Sequence, residues 1–287
     1  MKGWLLSALM VLAAIAPAHA LQVVDDRGVT ITFAQTPQRI VSMLPSLTES
    51  VCAMEQCQRL VGVDRYSNFP ESLKNLPKLG GGMDPNIEGI VALKPDVVLV
   101  SGKSRSTERL EALGIKVVAL ETKTHADVKR VLKVLGVLLA VPETQGADRL
   151  WHIIDSSVSA AAQSLPAKAK TARVYFEVSR GPYAAGESSF IGETLARLGV
   201  KNVVPAKLGP FPRLNPEYVV RANPDVIMMG DSSPVNAVSY PGWHSIKAVK
   251  NNQVCVFGVG DSDVVMRPGP RMAEAARLMA KCLETHE

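Results

Sequence analysis

The chain has few of the residues from which catalytic and metal centres are built. Among 287 residues there are 5 histidines, and none falls in the H-x-x-x-H or H-E-x-x-H spacing of a zinc site. The run Gly80-Gly81-Gly82 leads into Met83-Asp84-Pro85 rather than Lys-Ser/Thr, so it is no P-loop. No G-x-G-x-x-G opens a helix after the first strand, and Ser188-Ser189 in GESSF lacks the G-x-S-x-G frame of a nucleophile elbow. No catalytic residue, metal ligand or cofactor is expected. The net charge of +5 is modest, and no Lys/Arg cluster is interleaved with the scarce aromatics, which excludes a nucleic-acid partner. A long apolar run occurs only at the start, Trp4 to Ile15, after Lys2 and before Ala18-His19-Ala20. This is the pattern of a signal peptide over 1–20, cleaved after Ala20, and too short to span a bilayer. With no lipobox cysteine near the cut, the mature chain is expected to be free and soluble.

All 4 cysteines lie beyond the signal, in an oxidising compartment where an even count favours disulfides. Cys52 and Cys57 sit at the end of an expected helix, Cys255 in the strand-like VCVF, and Cys282 on the last helix. Local pairing, Cys52–Cys57 and Cys255–Cys282, is the simplest arrangement. A four-cysteine zinc site is the rival, although paired C-x-x-C knuckles are missing.

What is present is a phrase written twice. NIEGIVALKPDVVLV from Asn86 and NPEYVVRANPDVIMM from Asn215 align at an offset of 129 (Asn86 to Asn215) and share Asn, Glu, Val, Pro, Asp and Val. Continuous apolar strands alternate with helices on both sides, which predicts parallel sheets. In the first half the strands are RIVSML, LVGVD, DVVLV and IKVVAL, with a helix from PSLTESVCAM capped by Ser46 or Thr48. In the second half they are RVYFEV, VKNVV, DVIMM and QVCVF. The echo thus belongs to a larger duplication of two βα lobes, 21–140 and 171–287. Between them (141–170), Ala147, Leu150, Trp151, Ile154, Val158, Ala161, Ala162 and Leu165 recur at helical spacing. One helix from Glu143 to Leu165 would reach about 35 Å. It is either a large helix inside one domain or a strut between lobes, and the flanking duplication favours the strut.

Ligands of doubly wound sheets bind beyond the carboxyl ends of the strands. Tyr66 follows LVGVD, Tyr183 follows RVYFEV, and Phe211 is held between two prolines. Asp263 and Arg267 fall in the expected loop DSDVVMRPGPR. Each of these suits a surface loop as well as a site, but aromatic planes from both halves would suit a large, flat ligand.

RIVSMLPSLTESVCAM, LVGVDRYSNFP, IEGIVALKPDVVLV, the strut helix and RPGPRMAEAARL together resemble the periplasmic solute-binding proteins of ATP-binding cassette (ABC) importers. The branch is the one with a single backbone helix, which serves cobalamin, haem and ferric siderophores. The resemblance implies two Rossmann-like α/β lobes with parallel sheets, a periplasmic monomer and no enzymatic activity. It also implies a corrinoid in the cleft ahead of a siderophore or haem, held by Tyr66, Tyr183, Phe211, Asp263 and Arg267. An exported enzyme or a ligand sensor is the reading from a different class. The chain departs from the cobalamin receptors at Gly80–Gly82, where those can carry a pocket Trp, and at Phe211, which replaces another. Haem receptors of the branch commonly carry a ligating Tyr near Gly81. In this family each lobe also presents a glutamate to arginines of a dimeric inner-membrane permease, and Glu88 and Glu217 match those positions. Both are also placed where an acid favours a helix start.

Overall fold

The structure, a computed structural model, describes residues 20–102, 104–230 and 240–284. The signal-peptide segment and His286 lie outside them, apart from Ala20. The chain opens with the hairpin β1 (Leu21–Val24) and β2 (Thr30–Phe33), turned at Gly28. The first lobe follows as β3 (Ile40–Ser42), α1 (Pro45–Ala53), β4 (Leu60–Val63), α2 (Ile87–Ala92), β5 (Val97–Ser101), α3 (Thr107–Ala112), β6 (Val117–Leu120) and α4 (His125–Leu138). Its sheet is wholly parallel in the order β4-β3-β5-β6. After α5 (Ala147–Ser164) the second lobe runs through β7 (Arg173–Ser179), β8 (Tyr183–Ala184), α6 (Phe190–Arg197), β9 (Lys201–Asn202) and α7 (Pro216–Ala222). It ends with β10 (Val226–Met229), α8 (Lys247–Lys250), β11 (Val254–Val256), α9 (Val259–Met266) and α10 (Met272–Glu284). Here β11, β10, β7 and β9 are parallel neighbours, and only the short β8 runs against β7.

The repeated phrase has a structural reason in each lobe. Asn86 accepts the Gly89 N–H and Asn215 the Glu217 N–H, so both cap their helices. The helices stop at Lys94 and Asn223, in left-handed conformation before Pro95 and Pro224. The aspartates that follow tie neighbouring strands: Asp96 accepts the Gln38 and Arg39 N–H groups at 2.7 and 2.8 Å, and Asp225 that of Arg173 at 2.9 Å. The second shared valine, Val97 or Val226, is buried in its strand, which leaves over the glutamate and the first valine, Val91 or Val220.

Three expectations are corrected. Helix α1 is capped at Leu44 with Pro45 in its first turn, not at Ser46 or Thr48, because Pro cannot donate and suits a helix start. The Thr48 hydroxyl instead bonds inside the core, to Ser42 at 2.8 Å. The connecting helix begins at Ala147 rather than Glu143, since 142–146 form a turn closed by Gly146 N–H to Pro142 O. The segment expected as a loop around Asp263 is helix α9; its apolar residues have no one-sided period, so the sequence hid it.

Packing joins the lobes. One core cluster runs from Ile40, Leu47 and Leu99 of the first lobe through Leu150, Ile154 and Val158 of α5. It continues to Phe176, Leu195, Met228 and Met279 of the second lobe. Each fully buried Leu, Ile or Val contributes about 1.5–3 kcal/mol. The outer face of each sheet has its own smaller core. Helix α10 packs on α5 and is stapled to β11 by Cys255–Cys282; Cys52–Cys57 closes the turn after α1. With all four thiols bonded in two disulfides, the four-cysteine zinc alternative falls away.

A second joint is polar. His125 starts α4, is 8% exposed, and reaches across to α6 through Nε2 near Thr194 Oγ1 at 2.9 Å and Phe190 O at 3.1 Å. The Phe190 N–H donates to Lys123 O, and the His125 N–H to Glu193, both at 2.6 Å. Burial holds the imidazole below its ordinary 6.5; Glu193 opposes that shift and Arg197 adds to it. Because the folded value is depressed, this stabilisation is complete above the unfolded value and is lost as pH falls below it.

Two measurements test this packing. Removing the Cys255–Cys282 staple by the double alanine variant closes no 27-residue loop, and should lower unfolding free energy by about 3 kcal/mol in denaturant melts. Thermal melts should also lose stability more steeply below pH 6.5 in the native chain than in His125→Gln, by about 1.4 kcal/mol per unit of depression. Parallel curves would remove His125 from the account.

Candidate functional site

The carboxyl ends of both sheets turn toward the joint between the lobes. In the first lobe they surround a cavity of about 330 Å³ lined by Met43, Leu44, Pro45, Asp64, Tyr66, Gly82, Ser101 and Ser104. A larger, polar depression of about 510 Å³, around Met54, Val141 and Arg149, holds none of the candidate residues. At the base of the first cavity Asp64 is almost fully buried, accepting the Tyr66 N–H at 2.8 Å and the Ser67 hydroxyl. Burial raises its carboxyl above the ordinary carboxylate range, against the pull of those hydrogen bonds and of Arg267. Ser67 Oγ lies 3.0 Å from the Thr48 hydroxyl, itself 2.8 Å from Ser42 Oγ, so three hydroxyls stand in line under the loop.

Tyr66 itself is 60% exposed. Its ring lies over Gly81: a Cβ there would sit 3.3 Å from Tyr66 Cε2 and 3.1 Å from Asp84 Oδ1. The glycine run therefore makes room for the tyrosine ring, and Arg65, paired with Asp84, stands 5.9 Å from the ring centre.

In the second lobe Tyr183 lies on β8, at the carboxyl end of β7, and is 40% exposed. It bridges to Arg213, whose Nε donates to Gly181 O at 2.9 Å and whose guanidinium is 6.0 Å from the Tyr183 ring. Phe211, on the same loop, turns partly into the core and meets Phe190 at 6.1 Å. The loop is pressed onto β8: a Cβ on Gly186 would stand 2.3 Å from Gly209 O, and one on Gly192 2.1 Å from Gly186 O. Below it Glu177 is fully buried, accepting from Tyr175 and Tyr240 hydroxyls at 3.3 Å each. Burial and the Glu177 charge push the Tyr175 phenol far up, so it stays a neutral donor.

Asp263 and Arg267 sit on α9 and at its end, and Arg267 is 7% exposed. Its terminal nitrogens contact Glu49 Oε1 at 2.7 Å, Asn68 Oδ1 at 2.9 Å, Tyr66 O at 2.9 Å and Asp263 Oδ1 at 2.7 Å. Arg271 donates twice to Glu49, at 2.9 and 2.7 Å. Sequence reasoning missed Glu49, Asn68 and Arg271. The one signal was an acid on the apolar helix α1, and partners more than 200 residues away gave it no meaning.

Glu88 and Glu217 are both exposed in the first turn of their helices. Glu88 pairs with Arg109 at 3.2 Å beside an apolar groove of Ile87, Val91, Ala92, Ala112 and Leu113. In the second lobe the matching face is covered: Trp243 donates to Pro216 O, and Gly242 lies against Val220.

Known proteins place this geometry. Over residues 40–258 the chain matches the model of a family described as periplasmic binding protein. It is 30% identical over 274 residues to an uncharacterised ABC transporter substrate-binding lipoprotein, YvrC, of Bacillus subtilis, covering 90% of this chain and 84% of that one. It is 27% identical over 247 residues to the vitamin B12-binding protein of Pectobacterium atrosepticum, covering 84% and 86%. A crystal structure of a possible iron-binding (periplasmic solute-binding) protein from Staphylococcus epidermidis superposes with a TM-score of 0.73 at 27% identity, over 87% of this chain and 99% of that one. With the two parallel-sheet lobes on one backbone helix, these matches make the chain a member of the periplasmic binding protein family.

Proposed function

We propose that this chain is the exported substrate-binding component of an ABC importer, and that it takes a corrinoid between its lobes for delivery to the permease. The observation that carries the ligand class is charge balance at the joint. Glu49 and Asp263 face Arg267 and Arg271, two acids against two cations, so the charges within this cluster cancel. Exposed tyrosine faces remain on either side, Tyr66 and Tyr183. Such a cleft suits a broad ligand of low net charge over a multiply anionic ferric catecholate. Arg267, expected at a polar edge of the ligand, has both terminal nitrogens committed within the protein. The vitamin B12-binding relative, aligned over most of both chains, supports the same reading. Haem is the lesser reading, since no tyrosine stands within Gly80–Gly82 where the resemblance implies the haem ligand, although the ring edge of Tyr66 lies over Gly81.

Export is supported by the leader over 1–20, and the first cysteine of the chain is Cys52, so no lipid-bearing cysteine stands near Ala20. Among the described residues no helix is long and apolar enough to cross a membrane. Binding as the activity and a single copy of the chain as the working unit are proposed on the match to the periplasmic binding protein family.

Calorimetry with cyanocobalamin and cobinamide decides the ligand. Binding is expected for both, with Tyr66→Ala and Tyr183→Ala each weakening it by about 1–3 kcal/mol. Heat with haemin alone, together with a visible band lost in Tyr66→Phe, would transfer the assignment to haem; heat only with ferric siderophores would transfer it to those.

Docking is proposed for Glu88 and Glu217 because the Asn, Pro and Asp of the echo have structural tasks, whereas these two glutamates stand exposed on their helices. Glu88→Lys and Glu217→Lys should leave cyanocobalamin affinity unchanged. Each should cut uptake by about tenfold in cells that rely on this receptor, since a lysine adds repulsion to the lost pair. The double variant should abolish uptake, because two contacts on one body reinforce each other. Normal uptake by both single variants would reduce the glutamates to helix-start acids.

A further inference from the structure

The cross-lobe charge cluster does more than balance charge. The loop 64–70 that presents Tyr66 is gripped from two sides. Its own lobe supplies Asp64, under the Tyr66 N–H, and the hydroxyl chain from Ser67 to Ser42. The other lobe supplies Arg267, which holds the Tyr66 carbonyl and the Asn68 amide oxygen at 2.9 Å each. Asp263 accepts from the Asn68 side-chain amide at 2.8 Å. Arg271 lies 4.4 Å over the Phe69 ring and shares Glu49 with Arg267. Three of the five guanidinium N–H groups of Arg267 thus donate to fixed acceptors, one of them the backbone of the residue that walls the cleft, and Asp263 Oδ1 pairs with the guanidinium at 2.7 Å.

We infer that Arg267 is a positioning residue for ligand binding: it reaches from the second lobe to fix the loop that carries Tyr66, so the cleft wall stands complete before the ligand arrives. Geometry gives this role a signature. A planar fork reaching four acceptors cannot be replaced by a lysine, whose single ammonium is a point charge. Charge gives it a second. Glu49, the buried carboxylate, is held by both arginines, so loss of either leaves it one partner and the cluster a net negative charge, which loosens the others. Arg271 contacts neither Tyr66 nor Asn68 in the hydrogen-bond network, yet it should act on the same loop through Glu49 and Phe69.

A preformed wall and a direct ligand contact differ in kinetics. When a contact is lost, the complex dissociates faster and association is little changed. When positioning is lost, fewer molecules are competent at any instant, so the apparent affinity falls by that fraction and the loss appears in association.

The experiment has two arms, and only the second rests on the corrinoid reading. In the first, hydrogen exchange is followed on the ligand-free chain. Arg267→Met and Arg267→Lys should each speed exchange of the Tyr66 and Ser67 amides by about tenfold, with β5 amides unchanged, as expected of local opening. In the second, stopped-flow fluorescence with cyanocobalamin should show an association rate reduced about tenfold and a dissociation rate within about twofold of native. If Arg267→Met does not fold, Arg271→Met serves, with a smaller acceleration at the same two amides. Unchanged exchange in a folded variant overturns the inference, as does a loss confined to dissociation. If cyanocobalamin does not bind the native chain while exchange still accelerates, the corrinoid reading fails and the positioning role stands.

Discussion

The unbroken apolar core is the constraint on which the other features depend. It passes from the first sheet through α5 and α10 into the second sheet, so the lobes share one interior. Opening the cleft by hinge motion would expose that interior, at about 25 cal/mol for each Å² of apolar surface. The joint therefore works as a fixed frame, and the loops at the strand ends are held at set positions relative to each other. His125 at one side and the Glu49–Arg267–Arg271 cluster at the other seal this frame with directional bonds. Those bonds are expensive to leave half-made, because each would strand a buried polar group.

Much of the fold was legible in the chain. After their opening Asp, strands such as DVVLV and DVIMM are apolar at every position, and that alone distinguishes strands buried on both faces from the alternating kind. Helix α5 announced itself by its stripe from Leu150 to Val158. The Asn, Pro and Asp of the echo each encode a local act, and the structure shows each in both lobes. Asn caps, Pro follows the helix stop, and Asp ties the start of the neighbouring strand. The disulfide partners were legible because each pair lies close in sequence.

The site was less legible for a physical reason. Tyr66 and Tyr183 follow strands directly, so their place at the sheet ends could be read from topology. Arg267 could not be read that way, since its role depends on Glu49 and Asn68, 218 and 199 residues distant. A buried arginine and an exposed one look alike in a sequence. Helix α9 was invisible because Gly258, Gly260 and Asp261 break any apolar period, and Phe211 turns inward because Phe190 offers it a surface. The exposed faces beside Glu88 and Glu217 also differ, one grooved and one covered by Trp243, although the repeated phrase suggested equivalence.

The three glycines stacked behind β8 carry a consequence for descent with modification. Gly186 and Gly192 bring backbone so close to backbone that an added side-chain carbon would collide with a carbonyl oxygen, and Gly209, whose carbonyl Gly186 meets, holds a left-handed φ of +90°. Mutation cannot shift the path of that loop without first breaking its seat. On the proposed reading of the cleft, relatives that acquire a new cargo are thereby steered toward exchanging the side chains at its tip, around Tyr183, Phe211 and Arg213. The scaffold can be inherited intact while its preference for cargo drifts.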